Sequence, residues 1–364
     1  MTIGVLGAGQ LGRMMALAGY PLGQQFLFLD REPGTPGHQV GPSLLGDFSD
    51  PRLLDKLARH CEVVTFDWEN VPASALKRLA AHTRIAPPFQ ALATAQDRLL
   101  EKILFRKLGV PTNRSMAVDS LEDLHEATSV VGLPGVLKTR RMGYDGKGQH
   151  VLRQPADVEA AWQLLGAQSL LYEEFVPFDY EVSAIGVRGL GGELAMYPLN
   201  RNLHRDGILR LTRAPWKSAA LEASARRHMY RVLRHFDYCG VLAIEFFVRR
   251  GRLIANEMAP RVHNSGHWTI EGAVTSQFEN HVRAITGLPL GDTRAVGHSA
   301  MINLIGAMPA RAALLREKGL HLHDYGKSPR PGRKLGHLTI VESTAAGADR
   351  RAARLLRRTD SNQA

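Results

Sequence analysis

The 364 residues suffice for two or three domains around a large buried core, and an apolar content of 44% is that of an ordinary soluble enzyme. No stretch approaches the roughly 18 to 20 apolar residues of a membrane span, and two isolated cysteines, Cys61 and Cys239, exclude a disulfide framework and point to a reducing cytoplasm. The net charge of +11 is concentrated, because segments 134–153, 198–217 and 327–337 each carry +4 and leave the rest close to neutral. Three basic, glycine-containing segments so far apart predict convergence on one polyanion, either nucleotide phosphates or nucleic acid. The opening residues 1–6 have no positive leader region and run directly into a glycine loop, so no signal peptide is expected.

In chain order, residues 2–7 read as a buried strand, 10–18 as a helix, 25–30 as a strand, 53–59 as a helix and 63–66 as a third strand. This alternation predicts an N-terminal doubly wound parallel sheet, punctuated at its end by Pro87-Pro88. Residues 97–108 read as a helix stopped by Gly109 and Pro111. Beyond it the pattern mixes strands at 136–138, 170–174 and 180–187 with a helix at 221–236 and a hairpin over 241–257. The last 70 or so residues read as a small mixed subdomain. It closes on an arginine-rich helix at 349–358, read as a solvated face.

The first chemical signal is Gly7-x-Gly9-x-x-Gly12 between a strand and a helix, where backbone amides approach a phosphate at a helix N-terminus. With Asp30 about 20 residues further on, this motif alone leaves a dinucleotide-dependent oxidoreductase open. A second glycine loop, 143–149, follows Lys138 and carries Lys147 among three glycines, without the Gly-Lys-Ser/Thr of a P-loop. Amides and cations in that arrangement suit phosphate oxygens. The loops 259–267 and 330–337 add Arg261, His263, Asn264, Ser265, Arg330, Arg333 and Lys334 as further anion-binding candidates.

The hairpin over 241–257 carries a sharper argument. Folding its strands about Gly251 places Glu245 opposite Glu257, each six residues away, within otherwise apolar runs. Like charges opposed across a sheet are destabilising unless offset, and a hard divalent cation such as magnesium is a natural solution, with the Asn256 carbonyl as a further donor. The alternatives are that one glutamate faces solvent or that Arg249 or Arg252 neutralises the pair.

These motifs in this order resemble the N5-carboxyaminoimidazole ribonucleotide synthetase family of the ATP-grasp superfamily, over residues 3 to about 338. The segments that carry the resemblance are 7–14, 143–149, 202–210, 256–267 and 330–337. It implies an N-terminal nucleotide-binding-like domain over 1–94, an ATP-grasp domain over 95–290 with a lid near 113–172, and a C-terminal subdomain over 291–364. It also implies an ATP- and magnesium-dependent ligase that carboxylates aminoimidazole ribonucleotide with bicarbonate through carboxyphosphate. A cytoplasmic homodimer acting on small molecules, with no nucleic acid or membrane partner, is the family expectation.

By matching position, Arg98, Lys138 and the loop Gly143, Tyr144, Asp145, Gly146, Lys147, Gly148 and Gln149 are expected on the ATP phosphates. Glu173, Glu174, Phe175 and Val176 are expected along adenine, Glu181 on the ribose, and His204 and Asn256 in the same site. Glu245 and Glu257 are the expected magnesium ligands. Gln10, Leu11, His263, Asn264, Ser265, Arg330, Arg333 and Lys334 are expected on the ribonucleotide, and Glu69, Tyr144, Arg261 and Lys334 near bicarbonate. The stretch 65–71 departs from the family pattern, with Asp67 and Trp68 where Glu and Phe are more usual, while Glu69 keeps its place. The rival readings are another ATP-grasp ligase of the glycinamide ribonucleotide transformylase or biotin carboxylase type, an NAD-dependent oxidoreductase, and a nucleic-acid-binding protein.

Overall fold

A computed structural model describes residues 1–143 and 146–360. The N-terminal strands form a five-stranded, all-parallel sheet in the spatial order Ser43–Leu45, Gln25–Asp30, Thr2–Leu6, Val63–Phe66 and Arg84–Ile85. The strands are short apolar runs because helices cover both faces; Ile3, Val5, Leu6, Val63 and Val64 have no exposed surface. Chain direction across the sheet reverses between Thr2–Leu6 and Val63–Phe66. Such a switch point opens a crevice beyond the carboxyl ends of the strands. The loops that follow these two strands are the glycine loop at 7–12 and the 67–69 segment.

A second unit is a four-stranded antiparallel sheet, ordered Ser115–Val118, Leu170–Glu174, Gly135–Thr139 and Gln149–Leu152. Helices Leu121–Val131 and Asp157–Leu165 pack on it through Leu124, Ala127, Val158 and Ala161. It is tied to the rest of the molecule at Asp97. This carboxylate caps helix Arg98–Lys107 by accepting from the Leu99 amide at 3.0 Å, and it grips Arg140 through bonds of 3.0 and 2.6 Å.

The third sheet contains nine strands and runs without interruption from the hairpin Gly240–Arg249/Arg252–Ala259 to the strands Lys334–Glu342 and Leu320–Asp324. The last 70 residues therefore do not build a sheet of their own. Strand His298–Ile305 pairs antiparallel with Ile208–Ala214 and continues the central sheet. This continuity brings the 330–337 loop to the same floor as the hairpin. Helix Ala345–Asp360 docks on the C-terminal strands through Ala348, Ala352 and Leu355. Its arginines are not merely solvated: Arg351, Arg354 and Arg358 all converge on Glu317.

Candidate active site

The hairpin Gly240–Arg249/Arg252–Ala259 turns at Arg250 and Gly251, both with positive φ (49° and 71°), a tight two-residue turn that pairs Arg249 with Arg252. Continued regularly, that register would set Glu245 against Asn256 and put Glu257 on the opposite face. A bulge intervenes at Asn256, so that Phe246 pairs with Ala255 while Glu245 pairs with Glu257. The expected opposition of the two glutamates is present, but it comes from the bulge and not from folding about Gly251. Glu245, Asn256 and Glu257 all line one cleft of about 280 Å³.

Burial and the neighbouring carboxylates push Glu245 up to about 7, whereas Arg98, 2.8 Å from Glu257, outweighs burial and holds that carboxyl low. The Asn256 side-chain carbonyl is buried with no hydrogen-bond partner among the described residues. Two carboxylates and an unclaimed amide oxygen form an all-oxygen donor set, which fits a hard divalent cation such as magnesium.

Around this floor the cleft gathers residues from all three segments of positive charge. Lys138, at the end of strand Gly135–Thr139, donates to Glu173 at 2.8 Å. The carbonyl of Gly143 accepts from Arg98 at 3.3 Å, and Gly146 and Gln149 line the opening. Gly146 and Gly148 take positive φ (75° and 70°), which shapes the turn, and Lys147 is exposed upon it. Tyr144 and Asp145 lie outside the described residues. Glu174, Phe175 and Val176 line the far wall, where Phe178 stacks on Phe247 with ring centroids 4.7 Å apart. Glu181 accepts from His204 at 2.8 Å. Burial would lower the His204 pKa, but the Glu181 bond and the Glu245 charge raise it.

His263, Asn264 and Lys334 complete the floor. Burial, with the Arg261 and Lys334 cations, keeps His263 neutral. Its Nδ1 lies 2.8 Å from the Ser265 hydroxyl, and Ser265 is itself fully buried. Ser265 thus supports His263 from behind and does not face the cleft. Asn264 is held by a reciprocal amide pair with Asn303, at 3.1 and 2.7 Å.

A second cluster borders this cleft at the switch point of the parallel sheet. Leu11 is a core side chain, 5% exposed. Gln10 accepts from Lys327, a residue with no place among the sequence-predicted candidates. Burial and the cations Arg333, Lys334 and Arg330 lower Lys327 to about 8. Arg330 is exposed on the turn before Lys334, and Arg333 donates to the Ser328 carbonyl at 3.3 Å. Glu69 pairs with Arg261 at 3.0 Å. Asp67 is half-buried beside the glycine loop and accepts from the Gly12 amide at 3.2 Å. Asp30 accepts from the Ala8 amide at 2.6 Å, so the carboxylate a dinucleotide ribose would require is bound to its own loop.

The chain matches three family models in succession: a ribonucleotide synthetase preATP-grasp domain over residues 1–96, an ATP-grasp domain over 103–278, and a phosphoribosylaminoimidazole carboxylase C-terminal domain over 299–351. It is 51% identical over 340 residues to the N5-carboxyaminoimidazole ribonucleotide synthase of Pseudomonas aeruginosa, covering 93% of this chain and 94% of that protein. The chain belongs to the N5-carboxyaminoimidazole ribonucleotide synthase family. It is accordingly an ATP-grasp ligase. Its backbone is similar to the N5-carboxyaminoimidazole ribonucleotide synthetase of Thermus thermophilus, with a TM-score of 0.94, 52% identity and 98% of both chains covered. It is also similar to the N5-carboxyaminoimidazole synthase of Aspergillus clavatus in complex with ADP and 5-aminoimidazole ribonucleotide, with a TM-score of 0.91, 30% identity and 98% of both chains covered. For a synthase of this family, the residues missed in the sequence are those outside its glycine loops. Lys327 carried a signal, as the first cation of the basic 327–337 segment. Lys102, behind the cleft, and Asn113, on its lining, carried none.

Proposed function

We propose that this cleft performs the family's reaction, the ATP-dependent carboxylation of 5-aminoimidazole ribonucleotide by bicarbonate, giving N5-carboxyaminoimidazole ribonucleotide, ADP and phosphate. The observation that carries the proposal is the meeting of Glu245, Asn256 and Glu257 with Lys138 and Arg98 in one cleft, joined through Lys334 to the crevice of the parallel sheet. The division into units over 1–94, 95–290 and 291–364, with a lid near 113–172, is part of the same reading.

ATP lies between the lid sheet and the nine-stranded sheet. Its adenine runs along Glu173, Glu174, Phe175 and Val176, its ribose meets Glu181 with His204 in the same site, and its phosphates meet Arg98, Lys138 and the amides of 143–149. Tyr144 and Asp145 take their places from the family resemblance. Glu245 and Glu257, with Asn256 beside them, would hold magnesium, which neutralises charge on the phosphate oxygens. A bicarbonate oxygen attacks the γ-phosphorus, the bond to the bridging oxygen of ADP breaks, and carboxyphosphate forms. Lys138 and the loop amides stabilise charge on the transferring phosphoryl group. Carboxyphosphate separates into carbon dioxide and phosphate near Glu69, Tyr144, Arg261 and Lys334. The exocyclic amine of the ribonucleotide, held by Gln10, the Leu11 backbone, His263, Asn264, Arg330, Arg333 and Lys334, attacks that carbon and passes a proton to the released phosphate. Closure of the 143–149 loop excludes water from the intermediate.

The protein is read as a cytoplasmic homodimer acting on small molecules alone. Among the described residues, no helix is long and apolar enough to cross a membrane. An ATPase assay tests the central reading: ADP release should require both bicarbonate and aminoimidazole ribonucleotide. ADP release indifferent to the ribonucleotide would overturn it.

A further inference from the structure

The bulge at Asn256 has an unusual set of supports. Helix Arg98–Lys107 presents three residues, at positions i, i+3 and i+4, to consecutive groups of the strand Arg252–Ala259. Arg98 meets the Glu257 carboxylate at 2.8 Å. Glu101, 1% exposed, accepts from the Met258 amide at 2.6 Å. Lys102, also 1% exposed, donates to the Asn256 carbonyl at 2.8 Å, the Ala255 carbonyl at 3.3 Å and Asn113 Oδ1 at 2.9 Å. An ammonium has three N–H donors, and all three are committed. Thr112 adds a second donor to the Ala255 carbonyl at 2.9 Å, and the Ala255 amide donates to Pro111 at 2.7 Å.

A bulge leaves an extra residue out of the regular ladder. Here the carbonyls of Ala255 and Asn256 are taken up by a buried cation behind the cleft. Lys102 does not line the cleft, so its place is support and not contact with substrate. Its counter-charge is Glu173 at 3.6 Å, the residue that also accepts from Lys138. Asn113 closes the circuit by donating to Glu173 at 3.1 Å and to the Glu174 carbonyl at 3.0 Å, on the strand that leads into the adenine wall.

We infer that Lys102, assisted by Thr112 and Glu101, is a positioning residue for the metal site: by fixing the bulge at Asn256 it turns Glu257 onto the face that carries Glu245. Without the bulge the turn register would place those carboxylates on opposite faces of the hairpin. This inference rests on the reading of Glu245 and Glu257 as divalent-cation ligands.

The test uses the full chain and manganese with ADP, with free manganese counted by electron paramagnetic resonance. Loss of charge-assisted bonds to the strand predicts that Lys102→Met weakens manganese binding about 10- to 100-fold. Turnover should fall with it, while KM for aminoimidazole ribonucleotide stays within about twofold, a split that general loosening of the fold would not produce. Lys102→Arg keeps the donors and recovers part of the loss. Thr112→Val removes one neutral donor at constant volume and is expected to weaken manganese binding about threefold with an unchanged unfolding temperature. Glu257→Gln is the control. If it binds manganese as the wild type does, the metal reading itself falls. If it is impaired but folded Lys102→Met binds normally, the positioning inference alone falls. Should Lys102→Met not fold, Thr112→Val decides the matter, and wild-type affinity there overturns the inference.

Discussion

Glu245 and Glu257 face each other across a hairpin whose own turn would have paired Glu245 with Asn256; one inserted residue brings the two carboxylates to the same side. The two are electrostatically unequal. Glu257 is held ionised by Arg98 at 2.8 Å, while burial pushes Glu245 up to about 7. The hairpin thus keeps one fixed charge and one carboxyl that a bound cation can ionise.

Glu257→Gln keeps the size of the side chain and removes the charge that pairs with Arg98 and that the proposed cation would share. Turnover is expected to drop by about two to three orders of magnitude, with an unfolding temperature close to that of the wild type. Steady-state ADP release and a thermal melt check both halves; near-normal turnover would refute the ligand assignment.

Gly9 is needed for clearance. A methyl group there would lie 2.5 Å from the Asp67 carboxylate that accepts from the Gly12 amide. Gly9→Ala is therefore expected to displace the loop at the switch point. KM for aminoimidazole ribonucleotide should rise about tenfold or more, with KM for ATP within about twofold. Equal rises in both constants would contradict the separation of the two subsites.

Asp97 joins the four-stranded sheet to helix Arg98–Lys107, capping the helix and gripping Arg140 at once. Removing one partner of a buried, hydrogen-bonded ion pair costs about 3 kcal/mol. Asp97→Ala should lose about that much in a denaturant titration and raise KM for ATP, because Arg98 and the end of strand Gly135–Thr139 lose their common anchor. A loss below about 1 kcal/mol would place the anchor elsewhere.

His281 is buried with Thr65 Oγ1 2.9 Å from Nε2, and its Nδ1 accepts from the Val241 amide at 3.1 Å. Burial pushes it down to about 3, so the folded protein does not take up the proton that an unfolded histidine, near 6.5, accepts. Its contribution is present above about pH 6.5 and is lost as pH falls toward 3. His228, lowered by burial to about 4, acts in the same direction. The unfolding temperature should decline below about pH 6.5, and His281→Gln should show a shallower decline from a lower starting point. An unchanged slope in that variant would remove His281 from the account.

Local order along the chain was enough to read the alternating strands and helices of the first 90 residues, the glycine loops at 7–12 and 143–149, and the acidic hairpin. Each of these is a matter of periodicity and backbone freedom within a few residues. The same information did not contain the bulge at Asn256, because strand register depends on how a turn and a neighbouring helix fix two strands relative to each other. Nor did it single out Lys102, which meets Asn256 across 154 positions, or Lys327, which meets Gln10 across 317. The side chains of Ser265 and Leu11, both expected at the substrate, are buried, since a motif shows that a residue is near a site but not which way its side chain points. The nine-stranded sheet is the clearest case. Nothing in residues 298–342 read alone announces that they complete the sheet of the hairpin, and that continuity sets Lys334 beside Glu245. Distances across hundreds of residues are settled by packing, and packing becomes visible when the chain has folded.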